Sequence, residues 1–220
     1  MENSAAYFKK NNYLKAPGLI SKEICTVISR YALLKKESNP KIRRGNDPLA
    51  NIHREYNDPL MEVFLGDLTP KIEQLTGLAL WPTLSFYYSY GKGNQLLPHK
   101  DRASCEMVVA LKIGSDDSFN DKEGDWPLYF KDKNNRPFHI PLEAGDAIIL
   151  KGHEIEHWRE RFEGEWFISA IFGYVEKKGP HAYQKYDQRK KLGLPHVGIF
   201  RWYGRVMWEN LKRRLQKKTP

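Results

Sequence analysis

The sequence predicts a mainly β domain with helices in front of it and a basic helical tail behind. Two observations carry this prediction. From about residue 78, short β-branched and aromatic runs recur to about 176, separated by turns rich in Asp, Asn and Gly. Before them, apolar residues recur at helical spacing; after them comes a segment dominated by Lys and Arg.

The opening 45 residues read as an extended stretch and then a helix. Ser21 is placed to cap that helix, and Ile24, Ile28 and Tyr31 or Ala32 share one face. Residues 46–56 read as a loop. Asp58-Pro59 is a helix start, an N-cap carboxylate followed by proline at the first turn. Leu60, Val63, Phe64, Leu68, Ile72 and Leu75 form its apolar stripe, and Gly77 can end it. LWPTLSFYYSY then reads as a strand that stops at Gly91-Lys92-Gly93-Asn94. CEMVVALKI, WPLYF, PFHIPL, DAIILK, EHWRERF and WFISAIFGYV follow as further strands. Strands of this length with these connections form an antiparallel sandwich or barrel. The division is therefore a domain over 1–176, with helices to about 77 and a β core over about 78–176, and an extension over 177–220.

Composition narrows the function classes. The chain has 220 residues, enough for one domain with a real core. No run of about 18 apolar residues is present, and the N-terminus lacks the apolar region of a signal peptide. Two cysteines, Cys25 and Cys105, are too few for a disulfide scaffold and read as reduced, buried thiols, which makes the cytoplasm the expected location. The net charge of +9 is uneven: residues 177–220 carry 13 Lys and Arg against 2 Asp and Glu. Contact with nucleic acid is therefore expected only through that tail. The tail reads as two helical pieces, 181–191 and 198–216. The second has an apolar line at Phe200, Tyr203, Met207, Leu211 and Leu215 that suits a core or dimer contact. The expected state is a monomer or homodimer.

The chemistry concentrates in the run from Tyr90 to Arg102. His99 and Asp101 are two residues apart, so an extended segment presents both on one face. A distant second histidine would complete a two-His-one-carboxylate triad. Neutral imidazoles suit a borderline-soft ion, the carboxylate offsets part of its charge, and open positions remain, as non-haem iron(II) requires. His157, after the strand Asp146-Ala-Ile-Ile-Leu, is the candidate.

These pieces resemble the iron(II)/2-oxoglutarate-dependent dioxygenase superfamily, in its prolyl-4-hydroxylase-like branch, over roughly residues 14–175. The resemblance rests on the helix entry Leu-Ile-Ser-Lys-Glu-Ile-Cys, on Tyr-x-x-Gly-x-x-Leu-x-x-His-x-Asp from Tyr90 to Asp101, on Ala-Gly-Asp-Ala-Ile-Ile-Leu, and on His157. It implies a double-stranded β-helix (jelly roll) with N-terminal helices. It implies Fe(II) held by His99, Asp101 and His157, with 2-oxoglutarate and O2 as cosubstrates. The reaction would be a hydroxylation of a small-molecule or peptidyl substrate, with release of succinate and CO2. Tyr90 falls where such enzymes often place a tyrosine beside the cosubstrate. The family's usual Arg or Lys nine to eleven residues after the distal histidine is replaced here by Trp166, Phe167 and Ile168. Arg159 is the first substitute for gripping the cosubstrate's far carboxylate, since a guanidinium offers two parallel donors. Lys112 is the second. Arg102 and the loop 114–124 are expected at the substrate entrance.

Two readings compete. His153-Glu154-Ile155-Glu156-His157 matches H-E-x-x-H, which on a helix would make a zinc peptidase with Glu154 as base. The run before it reads as strand and turn, and the motif leaves His153 as the other candidate for the distal ligand. The second competitor is a jelly-roll binding module without catalysis.

Overall fold

The computed structural model describes residues 3–38, 52–116, 126–132 and 134–194. The chain runs α1 (Ser4–Asn11), β1 (Tyr13–Ala16), α2 (Lys22–Ser38), β2 (His53–Tyr56), α3 (Pro59–Thr76) and β3 (Leu80–Tyr90). Then come β4 (Leu96–His99), a 3-10 turn at Ala103–Cys105, β5 (Met107–Ser115), β6 (Tyr129–Lys131) and β7 (Pro137–His139). The last strands are β8 (Ala147–Leu150), β9 (His157–Arg159) and β10 (Phe167–Glu176), followed by 3-10 turns over Ala182–Gln188. Every strand pair is antiparallel.

Two sheets face each other. The larger has the order β1-β8-β5-β10-β3-β2 and the smaller β4-β9-β6-β7. This is the jelly-roll plan. The larger sheet is covered on both faces, and alternation sorts its side chains. Val109, Leu111, Ile149, Ala170, Phe172 and Tyr174 pack with Phe8, Ile28, Leu65 and Ile72 of the helices. The residues between them, Ala110, Ile148 and Leu150, turn inward to meet Leu128 and Phe130 from the smaller sheet. Burial on both faces explains why β5 reads as an unbroken apolar run.

Local rules set the helix ends. Ser21 Oγ accepts from the Ile24 amide at the start of α2. Asp58 caps α3 by accepting from Leu60 N–H, and Gly77 closes it at φ +71°. Asp58 also accepts from Tyr31 and Lys35, which ties α2 to α3. Gly145 takes φ +93°, and a Cβ there would press on the Ile20 carbonyl. The next residue, Asp146, accepts from the amides of Gly18 and Glu143 and pairs with Lys15 at 2.9 Å. The Ala-Gly-Asp corner thus docks the helical lead-in against β8.

Several expectations need correction. The stretch before α2 is partly helical: Asn3 caps α1, which buries only Phe8. Residues 53–56, read as loop, form edge strand β2 against β3. The buried face of α3 is Met61, Leu65, Leu68 and Ile72, while Val63 is exposed. On α2, Ile24 is likewise exposed and Cys25 takes its place inside. EHWRERF contributes only three residues of strand, His157–Arg159. The expected helix over 181–191 is instead two 3-10 turns broken at Lys185, Tyr186 and Asp187. Both cysteines are free and buried. The expected helix over 198–216, with its apolar line, lies outside the described residues. Among the described residues no helix is long and apolar enough to cross a membrane.

The segment after β10 sends Arg189 into the body. Its guanidinium, 5% exposed as a residue, pairs with Glu62 of α3 at 2.9 Å and donates to the Thr83 carbonyl at 2.9 Å. Gly193 N–H and Ser85 Oγ–H also donate to the Glu62 carboxylate.

Candidate metal centre

Strands β4 and β9 pair so that His99 lies opposite His157 and Leu96 opposite Arg159, with an irregularity between. That register brings the two imidazoles to a ring-centroid separation of 4.3 Å. Asp101 follows β4, its amide donating to the Gly152 carbonyl at 2.9 Å. Its Oδ1 lies 3.6 Å from His99 Nε2 and its Oδ2 3.6 Å from His157 Nε2. The ligand atoms of all three residues lie within 4.8 Å of one another.

The rings are held for ligation. His99 Nδ1 is 2.9 Å from the Leu97 carbonyl and His157 Nδ1 is 3.0 Å from that of Ile155. A carbonyl can only accept, so each Nδ1 carries the proton and each Nε2 lone pair faces the cluster. Burial lowers the His157 pKa, the charge of Asp101 opposing it, which favours the neutral ring a metal needs. The adjacent Asp101 carboxylate raises that of the half-buried His99 against its own burial.

Asp101 Oδ2 is buried and accepts no hydrogen bond from the described residues. A buried carboxylate oxygen without a donor is costly; a cation between the two Nε2 atoms would satisfy it. Gly152 makes the space. A Cβ there would collide with Asp101 Oδ2 and come within 3.0 Å of Val108. These residues therefore fit a divalent metal.

The three residues line one end of a cavity of about 190 Å³ between the sheets. Its walls are mainly apolar: Phe86, Leu96, Val108, Ala110, Leu128, Leu150 and Ile171. Tyr90 and Arg159 line the same cavity. Arg159, 4% exposed, lies over the rings of Trp126 and Phe167, at 4.9 and 4.8 Å to their centroids. It donates to the Trp126 carbonyl and makes no ion pair with any described carboxylate. Burial lowers its pKa to about 10, which leaves it protonated at neutral pH. Burial also raises Tyr90 to about 12, so the phenol stays neutral.

Lys112 is buried on β5, its Nζ 5.8 Å from the centroid of Phe167. It is not among the residues that line this cavity, but borders a separate pocket beside α2. Arg102 lines the cavity with its side chain 56% exposed, paired with Asp187 at 3.1 Å, and Asp187 also accepts from Tyr56. Of the loop 114–124, residues 117–124 lie outside the described part.

The H-E-x-x-H residues do not form a helix. They occupy a turn and the start of β9, so the two imidazoles diverge. His157 joins Asp101, while His153 Nδ1–H donates to the Glu106 carbonyl at 3.0 Å and its ring sits 5.3 Å from that of His181. Glu154 accepts from the side-chain amide of Asn12 at 3.1 Å. Sequence reading missed Gly152, the two orienting carbonyls, Phe86 and the Arg102–Asp187 pair. Only Phe86 had a signal, being two positions before Tyr88 and four before Tyr90 on one strand face.

No protein-family model and no curated protein matches the sequence. Solved structures do match its fold. A prolyl-4-hydroxylase from Pseudomonas putida aligns at TM-score 0.64 with 11% identity, over 79% of this chain and 97% of that one. The non-heme alpha-ketoglutarate-dependent epimerase SnoN from nogalamycin biosynthesis aligns at 0.67 with 13% identity, over 88% and 91%. HygX from Streptomyces hygroscopicus, with nickel and 2-oxoglutarate bound, aligns at 0.62 with 11% identity, over 81% and 88%. The fold is thus the jelly roll that these solved structures share.

Proposed function

We propose that this chain is an Fe(II)- and 2-oxoglutarate-dependent oxygenase, most simply a hydroxylase of a small-molecule or peptidyl substrate. One observation carries the reading. Among the described residues, a His-Asp-His cluster whose buried carboxylate oxygen has no donor shares its cavity with a buried guanidinium that has no acidic partner.

His99, Asp101 and His157 would hold the metal and leave open positions. Bound Fe(II), with 2-oxoglutarate and O2, supplies the oxidising power, and the cosubstrate leaves as succinate and CO2. Arg159 grips the far carboxylate of 2-oxoglutarate, held in place by the Trp126 carbonyl and the two aromatic faces. Tyr90, neutral and beside Arg159, donates its O–H to the same carboxylate. Lys112 is the lesser candidate, because it does not line the cavity. Phe86, Leu96, Leu128 and Ile171 exclude water from the reacting end. Arg102, steered by Asp187, meets the substrate at the mouth.

Anaerobic titration with Fe(II) and 2-oxoglutarate is the test. The expected result is a weak visible charge-transfer band, followed by succinate release on admitting O2, with both lost in Asp101→Ala. A protein that binds no iron would instead be a jelly-roll binding module.

A further inference from the structure

A second cluster of metal-type ligands lies outside the site described above. Glu106 precedes β5, His153 sits in the turn after β8, and His181 precedes the 3-10 turns that follow β10. Their ligand atoms lie within 4.8 Å of one another. Three features point to a ligand between them. His153 Nδ1 is tied to the Glu106 carbonyl at 3.0 Å, which leaves its Nε2 lone pair free, as at the first site. His181 Nδ1 is buried with no hydrogen-bond partner among the described residues. Glu106 is 7% exposed, and its carboxylate is oriented by the Glu176 amide at 3.0 Å. The His153 and His181 rings meet edge to face at 5.3 Å.

We propose that Glu106, His153 and His181 form a second divalent-metal site, suited to a zinc-class ion. Two imidazoles and one carboxylate are borderline ligands, and zinc accepts such a set with water in the remaining position. The H-E-x-x-H motif is then divided between two metal centres, His153 serving one and His157 the other. The three residues come from three separate segments, so the ion would clamp the chain after β10 onto the β core. That chain carries Asp187, the partner of Arg102 at the cavity mouth. The second ion would thus tie this segment, and with it the Asp187 partner of Arg102, to the β core.

The test is equilibrium dialysis of the tag-free, full-length protein against Zn(II), repeated with Co(II) and read by its visible absorption. Wild type is expected to bind two equivalents, and His181→Ala one. His99→Ala/Asp101→Ala is also expected to bind one, and adding His181→Ala to it none. Circular dichroism checks the fold of each. In the His99→Ala/Asp101→Ala protein, Zn(II) raises the melting temperature, and the rise disappears with His181→Gln. The inference is overturned if wild type binds a single equivalent that His181→Ala retains, which would make the cluster a hydrogen-bonded group only. It is equally overturned if folded His181→Ala or His181→Gln protein retains two. Should the double variant not fold, the wild-type and His181 stoichiometries alone decide.

Discussion

His99 stands directly opposite His157 in the β4–β9 ladder, and each ring is fixed by the carbonyl two residues before it in the chain. The pairing register itself therefore sets the spacing of the two imidazoles. Replacing either histidine by Ala is expected to lower Fe(II) affinity by more than the roughly 10- to 100-fold typical of losing an outer-shell partner. Anaerobic metal titration measures it; affinity within a factor of two of wild type for both variants would remove them from the ligand set.

Arg159 is predicted to act on the cosubstrate and not on the metal. A charge-assisted hydrogen bond contributes about 1.5–3 kcal/mol, so Arg159→Ala is expected to raise the KM for 2-oxoglutarate by about 10- to 100-fold. Fe(II) affinity without cosubstrate stays near wild type. Arg159→Lys recovers part of the loss, because an ammonium keeps the charge without the fork. Lys112→Met serves as the comparison, and a larger effect there than at Arg159 would reverse the assignment.

Gly152 is predicted to matter although it ligates nothing. Its missing Cβ is the space that Asp101 Oδ2 occupies. Gly152→Ala is expected to abolish iron binding while the protein keeps its far-ultraviolet circular dichroism. Normal metal affinity in this variant would mean that Asp101 can reach the metal by another route.

Arg189 and Glu62 form a buried ion pair between the chain after β10 and α3. Removing one partner strands the other, at a cost of about 3–5 kcal/mol. Arg189→Met is expected to lower the unfolding free energy measured by urea titration by that amount, and Glu62→Leu/Arg189→Met to regain much of it. Additive losses in the double variant would show that the two side chains act separately.

Asp146 links stability to pH. Its burial raises the carboxyl pKa, but the Gly18 amide, the Lys15 ammonium and the Glu143 amide outweigh this and hold it below the ordinary value. A carboxyl depressed by folding stabilises the native state above its unfolded pKa of about 3.9 and loses that contribution as pH falls toward the folded value. Denaturant titrations of wild type and Asp146→Asn are therefore expected to differ at pH 7 and to converge in acid. A constant difference down to about pH 3 would contradict this.

Long, strongly patterned elements were legible in the sequence. Strand β3 was, because Leu80–Tyr90 is aromatic and ends in a turn where Asn94 Oδ1 accepts from Gly91 N–H. Helix α3 was, because Asp58 and Gly77 mark its ends. Helix α1 was not, since one buried phenylalanine gives no period. Strand β2 was not, since His-Arg-Glu-Tyr is polar and its pairing with β3 is decided by tertiary contact. The buried face of α3 was misplaced because apolar residues surround much of that helix, and only packing selects Met61 and Leu65 over Val63. The motif from His99 to Asp101 was visible as spacing. The turn that separates His153 from His157 was also visible, at Gly152, but what His153 meets was not, because Glu106 and His181 come from distant segments. Arg159 had a signal, two positions beyond His157, but its burial without an acidic partner among the described residues is a property of the folded interior.

The cross-strand origin of the first site has a consequence for how the protein matures. On the ribosome, His99 and Asp101 emerge well before His157, and neither half alone offers three ligands. If the three residues hold iron as proposed, the ion would be acquired only after β9 has zipped against β4. A chain with an incomplete jelly roll would then not hold a redox-active ion at a half-built site.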